Sequence, residues 1–100
     1  MGEGVGKVEC EVLLADRYGN LILSAGPEDL ADAGSPGGAW IAEVGGRRIP
    51  LRRTYAEAAP GELLALVDSY GALEIAVREG NAAARLGIRP GDTVVFSRSA

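Results

Sequence analysis

Three tyrosines stand at turns and not inside strands: Tyr18 in Asp16-Arg17-Tyr18-Gly19-Asn20, Tyr55 in Thr54-Tyr55-Ala56-Glu57, and Tyr70 in Asp68-Ser69-Tyr70-Gly71. Asn20 and Ser69 accompany them. Rings at loop tips supply stacking surface, and a neighbouring amide or hydroxyl supplies hydrogen bonds. Such a set can form a pocket for a planar ligand such as a nucleobase. The alternative is that each ring packs over its own turn with its hydroxyl in water. Asp16, Asp68 and Asp92 also occupy turns near glycine, where an Asp side chain bonds its own backbone. Turn chemistry accounts for each of them; acid–base work would need two brought together with a perturbed pKa. Arg47, Arg48, Arg52 and Arg53 form the densest positive cluster. It can hold a phosphate or a carboxylate, or it can be the solvated face of an edge hairpin, where charge discourages edge-to-edge pairing.

What is missing narrows the chemistry further. The 100 residues include no histidine, which removes Ser-His-Asp and Cys-His catalysis, a histidine base and most zinc sites. The single cysteine, Cys10, permits no internal disulfide, in keeping with a reducing compartment. Gly2, Gly4 and Gly6 have no strand before them and no helix after them, so they match neither a P-loop nor a dinucleotide fingerprint. Ten basic against fourteen acidic residues give a net charge of −4, which argues against a nucleic-acid partner. No stretch approaches the ~20 apolar residues of a membrane span, and the N-terminus lacks signal-peptide character. The expectation is a cytoplasmic protein with no membrane partner.

The elements that must position these residues follow from periodicity. Residues 1–6 read as a mobile Gly-rich lead, and 7–97 as a single domain. In Lys7 to Ala15, Val8, Cys10, Val12 and Leu14 alternate with Glu9 and Glu11, which predicts a strand with Cys10 inward and chemically inert. Leu21 to Leu23 resumes an extended run. Pro27 to Ala33 reads as a short helix stopped by Gly34, with Ser35 to Gly38 as a loop. Ala39 to Val44 and Arg47 to Arg52 are strands joined by Gly45-Gly46, and Pro50 puts the second at an edge. Thr54 to Glu57 has capping-box spacing and opens one helical turn. The centre of the chain is the hairpin Glu62 to Val77. Leu63 to Val67 is apolar on both faces, predicting a central strand or one covered on both sides. In the second strand Leu73, Ile75 and Val77 share one face and Glu74 the other, the pattern of a half-buried strand. Asn81 caps a helix, Ala82 to Leu86, closed by Gly87. Thr93 to Phe96 is the last strand. About seven short strands with short helical turns and no βαβ rhythm predict a mainly β fold, a small antiparallel β-barrel.

At this point the motifs resemble a family. Asp16-Arg17-Tyr18-Gly19-Asn20-Leu21-Ile22 is similar to the Asp-Arg-Phe-Gly-Asn-Leu-Ile signature of the S-adenosylmethionine (SAM) hydroxide adenosyltransferases, relatives of the SAM-dependent fluorinases and chlorinases. Thr54-Tyr55, Pro60-Gly61-Glu62, Asp68-Ser69-Tyr70-Gly71, Leu73 to Val77, Gly80 to Ala83 and Gly91-Asp92 follow in the family's order. The resemblance covers about Val5 to Phe96 and only the family's smaller C-terminal barrel domain. It implies a SAM hydrolase-type reaction, SAM and water giving adenosine and methionine, with the water-activating residues on a larger N-terminal domain. By the same resemblance this chain alone is inactive and supplies no catalytic residue. It implies a trimer in which SAM, a substrate and not a cofactor, sits between the N-terminal domain of one subunit and the C-terminal domain of the next. The partner is therefore SAM or adenosine together with a homo-oligomer or a separate N-terminal domain. Position by position, it implies that Asn20 bonds the adenine with Tyr18 beside it, and that Tyr55 lies against the adenosyl group. Ser69 and Tyr70 would contact the methionine end, and the backbone around Arg78 and Glu79 would read the adenine edge. No metal is implied.

Two positions depart from the pattern. Leu23 and Ser24 stand where the family has Thr-Asn, and Asp68 stands where it has Asn before the serine. A carboxylate there repels the methionine carboxylate unless it faces the ammonium group. Two other classes remain open. Asn81 to Phe96 also looks like the closing segment of a PDZ-type peptide-binding domain, although the Gly-Leu-Gly-Phe carboxylate loop is missing. An oligomerising barrel without a ligand is the other.

Overall fold

The computed structural model describes residues 7–32 and 39–99. Its spine is β1 (Lys7–Ala15), which serves two neighbours in turn. Lys7 to Glu11 pair antiparallel with β7 (Thr93–Ser99), and Val12 to Ala15 pair with β2 (Leu21–Leu23). On one side β7 continues to β3 (Ala39–Val44) and then β4 (Arg47–Pro50). On the other, β2 continues to β6 (Leu73–Val77) and then β5 (Leu63–Val67). The order is β4-β3-β7-β1-β2-β6-β5. The end strands meet: Leu51 forms a parallel bridge with Ala65, and the Arg52 N–H donates to the Ala65 carbonyl at 2.7 Å. The result is a nearly closed, mainly antiparallel seven-stranded barrel, as the sequence predicts. Its interior is filled by Phe96, Leu21, Leu23, Ile49, Leu73, Ile75, Val12 and Val94.

Local chemistry explains the joints. Gly45 and Gly46 take φ of +58° and +78°, the pair of positive values that a two-residue hairpin with matching strand twist requires. Pro50 sits on β4, at one end of the strand order, where a missing N–H is tolerated. Helix α1 (Pro27–Asp32) starts on its proline; the predicted end at Ala33, the Gly34 stop, the loop over 35–38 and the lead over 1–6 lie outside the described residues. Helix α2 (Ala82–Leu86) is capped as predicted: Asn81 Oδ1 accepts from the Ala84 N–H at 2.8 Å, and Gly87 closes the helix at φ +67°. Asn81→Ala is expected to lower stability by ~1 kcal/mol, the usual worth of such a cap. Equilibrium denaturation checks this, and an unchanged midpoint would show the cap to be idle.

Five expectations need correction. The alternation in β1 would turn Leu14 inward. A register irregularity between Val12 and Leu14 adds a residue, so Leu13 and Leu14 are both exposed; a bulge re-aims the side chain that follows it. Strand β6 is not half-buried, because all five of its residues, Glu74 included, are buried. The segment after β4 folds over its outer face, where Ala58, Leu64, Leu66 and Ala76 form a second small apolar cluster. Thr54 makes no side-chain cap on the 3₁₀ turn Tyr55–Glu57; Glu57 instead accepts from the Arg53 N–H at 2.6 Å. The ladder of β4 ends at Pro50, short of Arg52. Finally, β7 runs to Ser99, beyond Phe96, because it is held on both sides, by β1 and by β3.

Cys10 is buried as predicted, and burial, followed by the charges of Asp29, Glu11 and Glu9, pushes its thiol up to about 11. It therefore remains a protonated core residue.

Candidate functional site

Successive residues of a strand face opposite sides of the sheet. On β1, β2, β6 and β5 one set faces the core: Leu21 is paired with Ile75, and Ile75 with Ala65. The other set forms a row across four strands, with Leu14 opposite Ile22, Ile22 opposite Glu74 and Glu74 opposite Leu66. This row is the floor of a cavity of about 770 Å³, within the size range of small-molecule sites. Its walls come from three separate segments. The turn after β1 contributes Asp16 and Asn20, the segment before the 3₁₀ turn contributes Arg53, Thr54 and Tyr55, and the β5–β6 turn contributes Asp68, Ser69 and Tyr70.

Each wall is stiffened by its own hydrogen bonds. Asp16 Oδ1 accepts from the N–H groups of Tyr18 and Asn20, both at 2.9 Å. Asp68 Oδ1 does the same for Tyr70 and Ala72, again at 2.9 Å. The turn roles predicted for these aspartates are thus present, and the fold also brings both to one cavity. Asn20 Nδ2 points to Asp16 Oδ2 at 3.3 Å and to the Tyr55 hydroxyl at 3.5 Å. A carboxylate can only accept, so this arrangement assigns the amide nitrogen and leaves Asn20 Oδ1 without a partner among the described residues.

The Tyr55 hydroxyl donates in turn to Glu74 Oε2 at 2.8 Å. Glu74, only 5% exposed, is the one buried charged side chain among the described residues. Burial raises its pKa, the Tyr55 hydrogen bond lowers it, and the charges of Asp68 and Asp16 raise it; the upward influences win. Burial, and then the hydrogen bond and charge of Glu74, push the Tyr55 phenol up to about 12. A carboxyl that holds its proton more tightly when folded supports the fold most at acid pH, and that contribution is lost as pH rises from the ordinary Glu range through the raised value. Glu74→Gln removes the ionised form and keeps an acceptor for Tyr55. Its unfolding midpoint is expected at or above wild type at about pH 7, with the gap closing toward about pH 4. A lower midpoint at neutral pH would show that the carboxylate stabilises the fold.

Of the residues singled out in the sequence, Asn20, Tyr55, Ser69 and Tyr70 line the cavity. Tyr18 stands largely exposed on its turn, outside the lining. Arg78 and Glu79 lie beyond the far end of β6. The Arg78 backbone is already paired with Gly61 and Glu62, and its guanidinium donates to the Ala58 carbonyl at 2.6 Å. The sequence reading missed the floor, Glu74 above all. The signal was present: one acid inside an otherwise apolar hairpin strand, opposite Leu66 and without a cation beside it.

A nearly closed, mainly antiparallel barrel thus carries a ligand-sized cavity on its outer face. Residues 10–95 match the family described as SAM hydroxide adenosyltransferase C-terminal domain, and the chain belongs to that family. The match takes in nearly all of the segment that also looked PDZ-like. The chain is 42% identical over 83 residues to the (R)-S-adenosyl-L-methionine hydrolase of Thermus thermophilus, covering 83% of this chain and 29% of that protein. It is 39% identical over 82 residues to the hydrolase of the same name from Salinispora tropica, covering 82% and 30%. Among solved structures, an uncharacterized conserved protein from Thermotoga maritima superposes with a TM-score of 0.79 at 29% identity, covering 93% of this chain and 36% of that one. A conserved hypothetical protein from Thermus thermophilus gives 0.70 at 37% identity, covering 91% and 34%. The chain thus spans about 30% of the length of these curated relatives. No helix among the described residues is long and apolar enough to cross a membrane.

Proposed function

We propose that this chain is the ligand-binding barrel of a SAM hydrolase-type enzyme and that its cavity takes the adenosyl group of SAM. One observation carries the reading: Asn20, Tyr55, Ser69 and Tyr70, far apart in sequence, line one cavity with an apolar floor. The ring of Tyr55 offers stacking surface. Asn20, held by Asp16 and Tyr55, keeps Oδ1 as an acceptor for an exocyclic amine such as that of adenine. In the complete enzyme water displaces methionine from the ribose carbon. In this reading the barrel binds and positions, and the groups that activate water belong to another domain, since the chain has no histidine. Asp68, by its place at the Ser69–Tyr70 end, faces the ammonium of the methionine portion.

Calorimetric titration with adenosine tests the reading. Saturable binding is expected, millimolar or tighter, and Asn20→Ala weakens it roughly five- to tenfold, the worth of one hydrogen bond to a buried acceptor. Binding that is absent in the wild type, or unchanged in the variant, overturns the assignment.

A further inference from the structure

We propose that Glu74 is a charge-selecting residue, so that the cavity takes a cationic adenosyl ligand in preference to its neutral counterpart. The inference rests on the adenosyl reading of the cavity and adds what that reading leaves open, namely which feature of the ligand the floor recognises.

Glu74 has the wrong character for a structural residue. The same row holds Leu14, Ile22 and Leu66, and an apolar side chain at its position would complete the floor. A buried carboxylate costs desolvation unless a cation or several donors compensate it. Here a single neutral donor, the Tyr55 hydroxyl, reaches Oε2, and no hydrogen bond among the described residues reaches Oε1. No salt bridge among them reaches it either. The charged groups around the cavity are Asp16, Asp68 and Glu74 against Arg53 alone, so the lining is negative overall. Asp16 uses both oxygens on its own turn and Asp68 uses Oδ1 on its own; both stand on the walls, and Glu74 is the buried carboxyl on the floor, with Oε1 left over. A positive ligand group above it supplies the missing compensation, and attraction between partly desolvated opposite charges is strong. A sulfonium satisfies this without needing a hydrogen bond. Loss of the charge on conversion to a neutral product removes the attraction, which favours release.

The test compares SAM with S-adenosylhomocysteine, which differs by one methyl group and the positive charge on sulfur. Both are titrated calorimetrically into the wild type, Glu74→Gln and Tyr55→Phe at about pH 8, on the alkaline side of the ordinary Glu range, which favours the ionised carboxyl. The wild type is expected to prefer SAM. Glu74→Gln loses about tenfold or more in SAM affinity and less than about threefold for the thioether, so the preference collapses. Tyr55→Phe keeps the carboxyl and removes its hydrogen bond; both ligands weaken and the preference survives. On acidification the wild-type preference falls as Glu74 takes up its proton, and Glu74→Gln lacks that part of the fall; the other charged or titratable groups facing the cavity are Asp16, Asp68, Arg53 and Tyr55, and they are the same in both proteins. Equal losses for the two ligands in Glu74→Gln would overturn charge selection while leaving the adenosyl site intact. Failure of both ligands and of adenosine to bind the wild type would overturn the site reading itself, and this inference with it.

Discussion

Phe96→Ala lowers the free energy of unfolding by about 3–5 kcal/mol, the range for deleting a fully buried aromatic ring. Phe96 is wholly excluded from solvent. It sits on β7 between Val8 of β1 and Ala42 of β3, so its ring fills the interior where the two halves of the sheet curl toward each other. Neither neighbour can swell to refill the space, because Ala42 is small and Val8 is fixed in its ladder. A domain of this size has ~5–15 kcal/mol in total, so the loss is a large share of the whole, and Tm falls by roughly 10 °C or more. Urea denaturation checks it: the midpoint drops with an unchanged slope. A loss below about 1.5 kcal/mol would contradict the burial of this ring.

Gly19→Ala destabilises by about 2–3 kcal/mol and impairs ligand binding as well. Gly19 is buried with φ +84°, a backbone state that costs an L-residue ~1–2 kcal/mol. A Cβ there would collide with the side chain of Asn81. Asn81 is the cap of α2, and the Gly19 carbonyl accepts from the Ala83 N–H at 2.8 Å, so one methyl group disturbs both the cap within the helix and the bond that ties the helix start to the Asp16–Asn20 turn. Because that turn carries Asn20 into the cavity, adenosine affinity is expected to fall along with stability. Denaturation and titration of the same variant check both effects. A variant that is destabilised but binds normally would show that the turn's position does not depend on its contact with α2.

Much of this architecture is legible in the sequence because it is encoded locally. The bounds of β1, β3 and β5 follow from alternation, turn residues and apolar runs, and Gly45-Gly46 and Asn81 are short-range signals with short-range causes. What escapes is set by distant partners. The inside-out turn of Leu14 depends on a bulge that exists only when β2 pairs with β1. The burial of Glu74 depends on Tyr55, nineteen residues away, closing over it. The extension of β7 through Ser97 and Arg98 depends on neighbours on both sides, and those polar residues carry no strand signal of their own. For the cavity, the rings and amides at the turns are visible as a set, but nothing in their spacing separates Tyr55, which is tied into the site, from Tyr18, which stands outside its lining. That distinction belongs to the third dimension.

The row Leu14, Ile22, Glu74, Leu66 has a consequence for how such a protein can change. Core and cavity are written on the same four strands in opposite phase: Leu21, Ile75 and Ala65 belong to one, and their immediate neighbours belong to the other. A single-residue slip would exchange the two scripts wholesale, which ties register to both at once. Point substitution does the reverse. Away from the bulge in β1, it acts on one script at a time, since adjacent side chains of a regular strand lie on opposite faces. The barrel is thus open to diversification: recognition can be rewritten at cavity-facing strand positions while their core-facing neighbours keep their packing.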